Sequence, residues 1–269
     1  MVEVGVPAHR ANATSAYRAQ GMHGYHDDSY GEAFADVYDE WYEGLDDVPA
    51  VVAELARLAR SVGDGPVLEL GVGTGRLAAP LAATGIEVHG VDSSAAMTAR
   101  IADKPSGHLV HATVGDMVED LPAGPFAMAF VAYNTIFNLR SAERQQACFH
   151  SVAERLVTGG LFVVEAFVPD PEHEPASSVT VRSLTAERVV LSVSTARPDD
   201  QVAEGQFVEF TEAGGVKLRP WSIRWATVAQ LDAMATSAGL KVVERWAAFD
   251  RSPFTTESPR HVTVYGNGR

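Results

Sequence analysis

The chain has 269 residues, 46% of them hydrophobic, and a formal net charge of −14 at pH 7. This length and composition predict a folded protein with one large core, or one core plus an insert. The acidic balance argues against nucleic acid and anionic membranes as partners, because phosphate groups are bound by clustered cations. No apolar run reaches the roughly 18 residues of a membrane-spanning helix, and residues 1–23 do not resemble a secretory signal. With Cys148 as the single cysteine, we expect a cytoplasmic protein.

The N-terminal part of the chain contains a polar segment and two helical patterns. Residues 1–26 are polar and rich in Gly and His, which predicts a flexible segment. Aromatic and apolar side chains recur at helical spacing over residues 29–42 and predict an amphipathic helix. A further helix is expected over residues 48–61, before a Gly- and Pro-containing turn.

The most informative pattern is a short apolar strand, Val67–Leu70, followed by Gly71, Gly73 and Gly75. These glycines let the backbone turn sharply and approach a ligand with no Cβ in the way. A helix that begins at about Arg76 would direct its free N–H groups at that ligand.

A second strand, Ile86–Val91, ends at Asp92, where a carboxylate would meet the ribose of a nucleotide. The two strands and the glycine turn therefore predict a nucleotide-type cofactor site at the carboxyl end of a parallel sheet.

The nicotinamide fingerprint has glycines at the first, third and sixth positions of its turn, whereas the sixth position here is Arg76. A bulky cation there would prevent the close helix–strand contact of a dinucleotide fold, so an oxidoreductase is disfavoured.

Strands alternate with helices over residues 64–168, which predicts an α/β Rossmann-like fold with a doubly wound, mostly parallel sheet. Further strands are expected at 108–114, 126–132 and 161–166, and helices at 76–84, 94–102 and 142–156. Thr158, Gly159 and Gly160 are expected to end the last of these helices. Residues 227–269 complete this core with a helix at 227–238 and a C-terminal antiparallel hairpin of strands 242–249 and 261–266.

Residues 169–226 interrupt this alternation. They contain β-rich stretches separated by turn residues, at 179–184, 188–196, 201–211 and 216–225. Because no helical pattern separates these stretches, we expect an inserted antiparallel β layer.

Three motifs in order carry a family resemblance: Glu69-x-Gly71-x-Gly73-x-Gly75, Asp92-Ser-Ser-Ala-Ala-Met97 and Gly115-Asp116-Met117. Together they resemble class I S-adenosylmethionine-dependent methyltransferases, which implies S-adenosylmethionine as cofactor. In that family the first carboxylate meets the ribose hydroxyls and the second approaches the adenine amino group, which implies these roles for Asp92 and Asp116. The cofactor-binding residues implied are Tyr30, Glu69, Gly71, Gly73, Gly75, Asp92, Ser93, Met97, Asp116, Met117 and Tyr133.

A narrower resemblance concerns the acceptor. Tyr38-Asp39-x-x-Tyr42, Gly159-Gly160, Glu165 and the following β layer are similar to nucleotide-aminosugar N,N-dimethyltransferases of antibiotic biosynthesis. N-terminal segments such as residues 27–63 resemble the lids of small-molecule methyltransferases. The resemblance implies methyl transfer to an amine of a small secondary-metabolite acceptor, with residues 169–226 covering the acceptor site.

The transfer of a methyl group from a sulfonium requires mainly alignment, helped by a base for the acceptor amine. Glu165 ends an apolar strand at the ligand-binding edge of the sheet and is the expected base; the alternative is a structural carboxylate paired with a backbone N–H or an arginine. The Tyr42 hydroxyl is expected at the acceptor or at the methionyl end of the cofactor.

Candidate acceptor contacts are Asn134, Trp221, Arg224 and His261, whereas Asn138 is expected to cap a helix. No spacing of ligand residues indicates a metal site.

Other interpretations stay open at this stage. The enzyme could methylate an oxygen or a carbon of another natural product. The chain could also be a cofactor-binding protein without catalysis, with the β layer as a dimerisation surface. In either case we expect a homodimer.

Overall fold

A mostly parallel sheet of seven strands runs through the computed structural model, which describes residues 21–44, 47–170 and 176–268. Residues 1–20 of the predicted flexible segment lie outside the described residues. The strands in chain order are β1 (Val67–Leu70), β2 (Val88–Asp92), β3 (Val110–Val114), β4 (Phe126–Val131), β5 (Leu156–Phe167), β6 (Ala176–Leu184), β7 (Arg188–Arg197), β8 (Val202–Thr211), β9 (Val216–Arg224), β10 (Leu240–Trp246) and β11 (Arg260–Asn267).

Helices cover the faces of the sheet and its ligand-binding edge. They are α1 (Ser29–Phe34), α2 (Tyr38–Trp41), α3 (Val48–Val62), α4 (Ala78–Ala82), α5 (Ala95–Ala99), α6 (Ala142–Ala153) and α7 (Val228–Ser237), with a 3₁₀ helix at Thr135–Asn138. Within the described ranges, no helix has both the length and the apolar character needed to cross a membrane.

The strand order β10-β11-β5-β4-β1-β2-β3 reverses direction at β1. β1 pairs in parallel with β2 on one side and with β4 on the other, so Val67 lies opposite both Val88 and Met128. The chain moves outward to β3 and then returns to β4 beyond β1, which creates a topological switch point at the carboxyl ends of β1 and β4. β11 closes the sheet antiparallel to β5 and β10. This arrangement confirms the predicted α/β fold class and the C-terminal hairpin.

The strands beside the switch point are buried on both faces. Every residue of β4 is buried, and Leu68 and Phe130 have no exposed surface. α6 covers one face, where the ring centroids of Phe149 and Phe162 are 5.2 Å apart. Leu55 of α3 belongs to the apolar cluster on the other face. The sequence of a strand that is covered on both faces is a continuous apolar run and does not alternate between apolar and polar residues. This pattern allows such strands to be predicted from the sequence.

A separate antiparallel sheet with the order β6-β7-β8-β9 follows β5. It confirms the predicted antiparallel layer. Neighbouring strands pair over most of their length, as in the pair Gly205 and Trp221 across β8 and β9. The Trp221 ring packs so closely that a Cβ at Gly205 would lie 2.6 Å from it, which explains the glycine in the middle of a strand.

Three predicted helices have different bounds. The pattern over residues 29–42 forms two short helices, because the backbone between them leaves the helical conformation at Val37, where φ is −121°. The helix after the glycines is the five-residue α4 and not residues 76–84, so its dipole is short. α6 ends at Ala153, and Thr158, Gly159 and Gly160 do not end it but lie within β5. Leu156 already pairs with Phe126 of β4, and Gly159 has a φ of +76° where the register shifts.

A buried arginine joins the four-stranded sheet to the N-terminal helices. Arg219 of β9 is 1% exposed and donates hydrogen bonds to Glu209 at 2.7 Å and to Asp36, between α1 and α2, at 2.5 Å. It also donates to the carbonyl of Ala33. Although burial acts in the opposite direction, the hydrogen bonds from Arg219 and Lys217 hold the pKa of the Asp36 carboxyl well below its ordinary value.

Replacing this arginine should therefore destabilise the fold. In Arg219→Met the buried Glu209 carboxylate loses its closest partner, and we expect the free energy of unfolding to fall by about 3–5 kcal/mol. The matched control is Lys217→Met, which removes a half-exposed partner of Asp36 and should cost less than about 1 kcal/mol. Urea unfolding measures both values, and equal losses would contradict the assignment.

Candidate active site

The glycine turn after β1 is held by the side chain of Asp92, at the end of β2. Gly73 N donates a hydrogen bond to Asp92 Oδ2 at 2.9 Å, and Ser94 N donates to Asp92 Oδ1 at 2.9 Å. Gly71 and Gly73 have φ angles of +69° and +53°, which favour glycine. A Cβ at Gly71 would lie 2.3 Å from Thr135 Cγ2. The turn thus requires glycine for its backbone angles and for the close approach of Thr135.

A cavity opens beside this turn, under α1, and we call it the cofactor cavity. Its lining includes the predicted cofactor residues Tyr30, Gly71, Gly73, Asp92, Ser93, Met97, Asp116 and Met117. They come from the ends of β1, β2 and β3, from α5 and from the N-terminal helix. Burial raises the pKa of the Asp92 carboxyl, although hydrogen bonds from Ser94 and Gly73 act in the opposite direction.

Asp116 is fixed in the cavity wall after β3. Its Oδ1 atom accepts hydrogen bonds from Val118 N at 2.7 Å and from Glu119 N at 3.1 Å. Its other oxygen pairs with the guanidinium of Arg144 on α6. The backbone and the arginine together set the orientation of this carboxylate.

Helix α1 closes the cofactor cavity. Glu32 Oε1 accepts hydrogen bonds from Ser94 Oγ at 2.8 Å and from Ala96 N at 3.0 Å, which join α1 to the beginning of α5. The bonds from Ala96 and Ser94 lower the pKa of the Glu32 carboxyl. Gly31 allows the close contact, because a Cβ there would lie 2.3 Å from Ser94 Cβ. These contacts hold Tyr30 in the cavity wall.

The Tyr38-Asp39-x-x-Tyr42 motif joins α2 to the glycine turn. Asp39 Oδ1 accepts a hydrogen bond from Thr74 Oγ1 at 2.7 Å, and Asp39 Oδ2 lies 2.6 Å from Lys104 Nζ. The rings of Tyr38 and Tyr42 pack with their centroids 4.8 Å apart. One carboxylate therefore anchors the helix that carries two cavity-lining tyrosines.

A second cavity of about 270 Å³ adjoins the first on the side of the four-stranded sheet, and we call it the aromatic cavity. It is lined by Tyr30, Tyr38, Tyr42, Arg76, Tyr133, Asn134, Thr135, Asn138, Phe167, Phe207, Trp221 and Ile223. Tyr30, Tyr38, Thr135 and Asn138 also line the cofactor cavity and form the wall between the two. Among these described lining residues there is no carboxylate.

The two predicted catalytic residues have different surroundings. Tyr42 lines the aromatic cavity, and its Oη atom lies 3.1 Å from Tyr30 Oη. Glu165 is 5% exposed and is not among the residues that line either cavity. Its Oε2 atom accepts a hydrogen bond from Tyr133 N at 3.1 Å, and its Oε1 atom lies 3.8 Å from the guanidinium of Arg260. Glu165 thus supports the loop after β4, as in the structural alternative.

The loop after β4 carries two asparagines with different contacts. Asn134 lines the aromatic cavity and makes no side-chain cap; its Oδ1 atom accepts a hydrogen bond from Phe167 N at 2.6 Å. Trp221 of β9 also lines this cavity. Asn138 does not cap a helix as expected: it is the last residue of the 3₁₀ helix, and no described residue accepts or donates a hydrogen bond to its side chain.

Arg224 and His261, expected as acceptor contacts, are not among the described residues that line the aromatic cavity. Arg224 donates a hydrogen bond to Gln145 Oε1 at 3.0 Å and so joins β9 to α6. His261 is fully buried on β11, with Nδ1 at 2.8 Å from Thr263 Oγ1. Burial lowers the pKa of its imidazole to about 4, so it is neutral at physiological pH. Both side chains therefore form hydrogen bonds within the fold.

Three further predicted cofactor residues lie outside the cofactor cavity. Gly75, with a φ of +78°, packs on Ile101, where a Cβ would be 3.2 Å from Cγ1. Glu69 and Tyr133 line a small cavity of about 20 Å³ beneath the glycine turn, together with Arg76.

Some lining residues were missed by the reasoning from sequence. Arg76 directly follows Gly75, so a cation beside the glycine turn was an available signal. Asn138 follows a predicted strand end, and the sequence favours a helix cap at this position over a ligand contact. Phe207 carries no such signal, because only the folding of β8 brings it to the aromatic cavity.

A glycine turn at the switch point, next to an acid that ends the second strand, is the arrangement of a nucleotide-type cofactor site, and a second cavity adjoins it. A methyltransferase-domain family matches residues 67–160, which include the glycine turn and Asp92. The CcbJ methyltransferase from Streptomyces caelestis is 37% identical, with a TM-score of 0.83 over 91% of this chain and 100% of its own. The chain belongs to the S-adenosylmethionine-dependent methyltransferase family, and S-adenosylmethionine is its cofactor, which excludes the oxidoreductase interpretation.

The names of two other relatives specify the kind of methyl acceptor. The cypemycin N-terminal methyltransferase of a Streptomyces species is 28% identical over 204 residues, or 74% of this chain and 81% of that protein. CalS10, an amino pentose methyltransferase from Micromonospora echinaspora with bound S-adenosylmethionine, is 20% identical, with a TM-score of 0.64 over 86% of this chain and 96% of its own. At that identity the aminosugar enzyme shares the fold alone.

The buried carboxyl of Glu69 should make the stability of the protein depend on pH. Burial raises the pKa of this carboxyl well above its ordinary value of 4.5, although the charge of Arg76 acts in the opposite direction. The folded chain then binds more protons than the unfolded chain, so the free energy of unfolding falls as the pH rises above 4.5. Glu69→Gln cannot titrate and should show a smaller fall.

Urea unfolding of both proteins from pH 4.5 to neutral pH measures this difference. The matched control is Glu154→Gln, which removes an exposed carboxylate at the end of α6 and should keep the slope of the wild type. A wild-type slope in Glu69→Gln would contradict the assignment.

Proposed function

We propose that this enzyme transfers the methyl group of S-adenosylmethionine to an amine of a small natural product or of a peptide terminus. The observation that carries the proposal is the shared wall between the cofactor and aromatic cavities, formed by Tyr30, Tyr38, Thr135 and Asn138. A reacting nitrogen at this wall would lie next to the donor. The similarity to the cypemycin N-terminal methyltransferase supports nitrogen over oxygen or carbon as the methylated atom.

The residues of the cofactor cavity fit the proposed role of holding the nucleoside. Gly73 lines the cavity, and a Cβ there would have no neighbour closer than Gly71 O at 4.0 Å, so its surface is open for a ligand. Asp92 is proposed to accept hydrogen bonds from the ribose hydroxyls and Asp116 to approach the adenine amino group. Met97 and Met117 would pack on the base with their flexible apolar side chains.

The chain's own contribution to the reaction is alignment. The bound cofactor supplies an activated methyl group on a sulfonium, so a neutral amine forms the new C–N bond while the C–S bond breaks. The product ammonium then loses a proton to water. Aromatic walls exclude water and hold the acceptor, and an oriented amide at the shared wall would direct the nitrogen lone pair.

Asn138 is the residue that we assign to this orientation. It lines both cavities, and its side-chain amide forms no hydrogen bond with any described residue. Its carbonyl oxygen is suited to accept a hydrogen bond from the N–H of a neutral amine. Glu165, expected as the base, is instead proposed to position the loop through Tyr133 N.

A nucleotide-linked aminosugar is one acceptor within this class and stays a hypothesis, as do the homodimer and the cytoplasmic location.

The amine class is tested by incubating the enzyme and S-adenosylmethionine with two versions of one peptide, one with a free N-terminus and one acetylated, and with a nucleotide-linked aminosugar. Mass spectrometry should detect a methyl group on a free amine and none on the acetylated peptide. Methylation of an oxygen or carbon alone would contradict the amine class.

The role of Asn138 is tested on whichever of these acceptors is methylated. Asn138→Ala removes one hydrogen bond to the nucleophile, so kcat should fall about tenfold with the affinity for S-adenosylhomocysteine unchanged. Asn138→Asp keeps the oxygen but adds a negative charge that stabilises the ammonium form of the acceptor, so the pH profile of kcat/KM should move to higher pH. An unchanged kcat in Asn138→Ala would reject the assignment.

A further inference from the structure

The indole N–H of Trp221 is a hydrogen-bond donor in the wall of the aromatic cavity. Its Nε1 atom is buried and has no hydrogen-bond partner among the described residues. The ring lies over Gly205 on β8, where a Cβ would be 2.6 Å from Trp221 Cζ2, so the glycine allows this position of the ring. A buried tryptophan N–H normally has a partner, because a buried donor without one is costly. A bound molecule that places an oxygen here would satisfy this donor.

Asn134, on the loop after β4, provides a second donor to the same cavity. Its Oδ1 atom accepts the hydrogen bond from Phe167 N at 2.6 Å, and a backbone N–H can only donate, so the oxygen must face Phe167. The amide nitrogen of Asn134 donates to none of the residues that the structure describes. Two N–H donors in one cavity wall are complementary to a carbonyl oxygen, which has two lone pairs.

Away from the wall that it shares with the cofactor cavity, the aromatic cavity has an apolar lining that includes Phe167, Phe207 and Ile223. Ile223 of β9 is paired with the small residue Ala203 of β8, which leaves space on this face of the sheet. The volume of about 270 Å³ lies just below the roughly 300–1,000 Å³ of pockets that enclose drug-sized molecules. The cavity therefore suits a small apolar group and not a whole nucleotide-linked sugar.

The described residues that line the aromatic cavity include neither a carboxylate nor a histidine. An acceptor amine therefore finds no strong side-chain base there and has to reach the site in its neutral form. The α-amino group of a peptide has an ordinary pKa of about 7.7–8.0, so about 20–30% of it is neutral at about pH 7.4. For an alkylamine such as that of lysine the neutral share is about 0.1%. The lining thus favours an amine that lies next to a carbonyl group.

We propose that the methyl acceptor is an α-aminoacyl compound with an apolar side chain, whose carbonyl oxygen is bound by Trp221 Nε1 and Asn134 Nδ2. A peptide terminus and an aminoacyl amide both belong to this class. The inference rests on the proposed methyl transfer to an amine and specifies which amines are accepted. The amine then lies at Asn138 on the shared wall, and the side chain lies against the apolar lining. A nucleotide-linked aminosugar is expected to be a poor acceptor.

Two probes separate the carbonyl from the amine. One is leucyl-alanine amide, and the other is its isostere in which an E-alkene replaces the peptide bond, which removes the carbonyl oxygen but keeps the shape. Calorimetry measures the affinity of each probe for the complex of the enzyme with S-adenosylhomocysteine. Mass spectrometry of parallel reactions with S-adenosylmethionine measures methylation of the nitrogen.

Trp221→Phe keeps an aromatic ring and removes the N–H. Its affinity for the dipeptide should fall about three- to tenfold, which corresponds to the loss of one neutral hydrogen bond, and its affinity for the isostere should stay within about twofold. Asn134→Asp keeps the oxygen that faces Phe167 N but lacks the amide N–H, so the preference for the dipeptide over the isostere should fall by a similar factor. The matched control is Leu218→Ala, an exposed position on the same strand as Trp221, which should change neither affinity.

Each variant should bind S-adenosylhomocysteine as the wild type does, because neither Trp221 nor Asn134 is among the described residues that line the cofactor cavity. This measurement identifies any general loss of folding. Equal losses for both probes in Trp221→Phe would overturn the proposal and make the indole a support for the cavity wall. Methylation of an aminosugar but not of the dipeptide would also overturn it, while the amine class stands. Carbonyl-dependent binding of the dipeptide without a methylated nitrogen would instead contradict the proposed function.

Discussion

The parallel pairing of β1 with both β2 and β4 is the constraint on which the site depends. It brings Leu70, Val91 and Val131 to the same edge of the sheet, so the segments that follow these strands meet there. Only at such a switch point do neighbouring loops leave in opposite directions and open a crevice. The Asp92 carboxylate then closes the glycine turn through two backbone hydrogen bonds. The same carboxylate can therefore be part of the fold and of the cofactor site.

The acceptor side depends on a different interaction. The four-stranded sheet and the N-terminal helices are distant in the sequence but are joined through the buried Arg219, which pairs with Asp36 and Glu209. The two parts are also joined by Phe207, which packs against Phe34 and Trp41 with ring centroids 5.7 and 5.5 Å away. The N-terminal helices and the four-stranded sheet therefore pack against each other beside the two cavities.

The distribution of charge in the site fits methyl transfer from a sulfonium. The described lining of the aromatic cavity has no carboxylate, whereas the carboxylates lie around the cofactor cavity and below the glycine turn. A cationic cofactor is attracted to the second region. Glu165 lies outside both cavities, where it accepts a hydrogen bond from Tyr133 N and lies 3.8 Å from the guanidinium of Arg260.

The sequence by itself determined the α/β class, the switch-point strands and a nucleotide-type cofactor site, while the identity of the cofactor came from the family resemblance of its three motifs. The class, the strands and the site follow from local patterns: apolar runs of buried parallel strands, glycines at positive φ, and an acid after the second strand. Only the tertiary structure decided that none of Glu165, Arg224 and His261 lines the cofactor cavity or the aromatic cavity, because a strand residue's direction depends on register and on the partners that it meets. It also decided that Gly159 and Gly160 lie in β5 instead of ending a helix, and that Arg76, Asn138 and Phe207 line the site. Contacts between residues far apart in the chain leave no periodic signal in the sequence, so the acceptor site depends on the assembled fold.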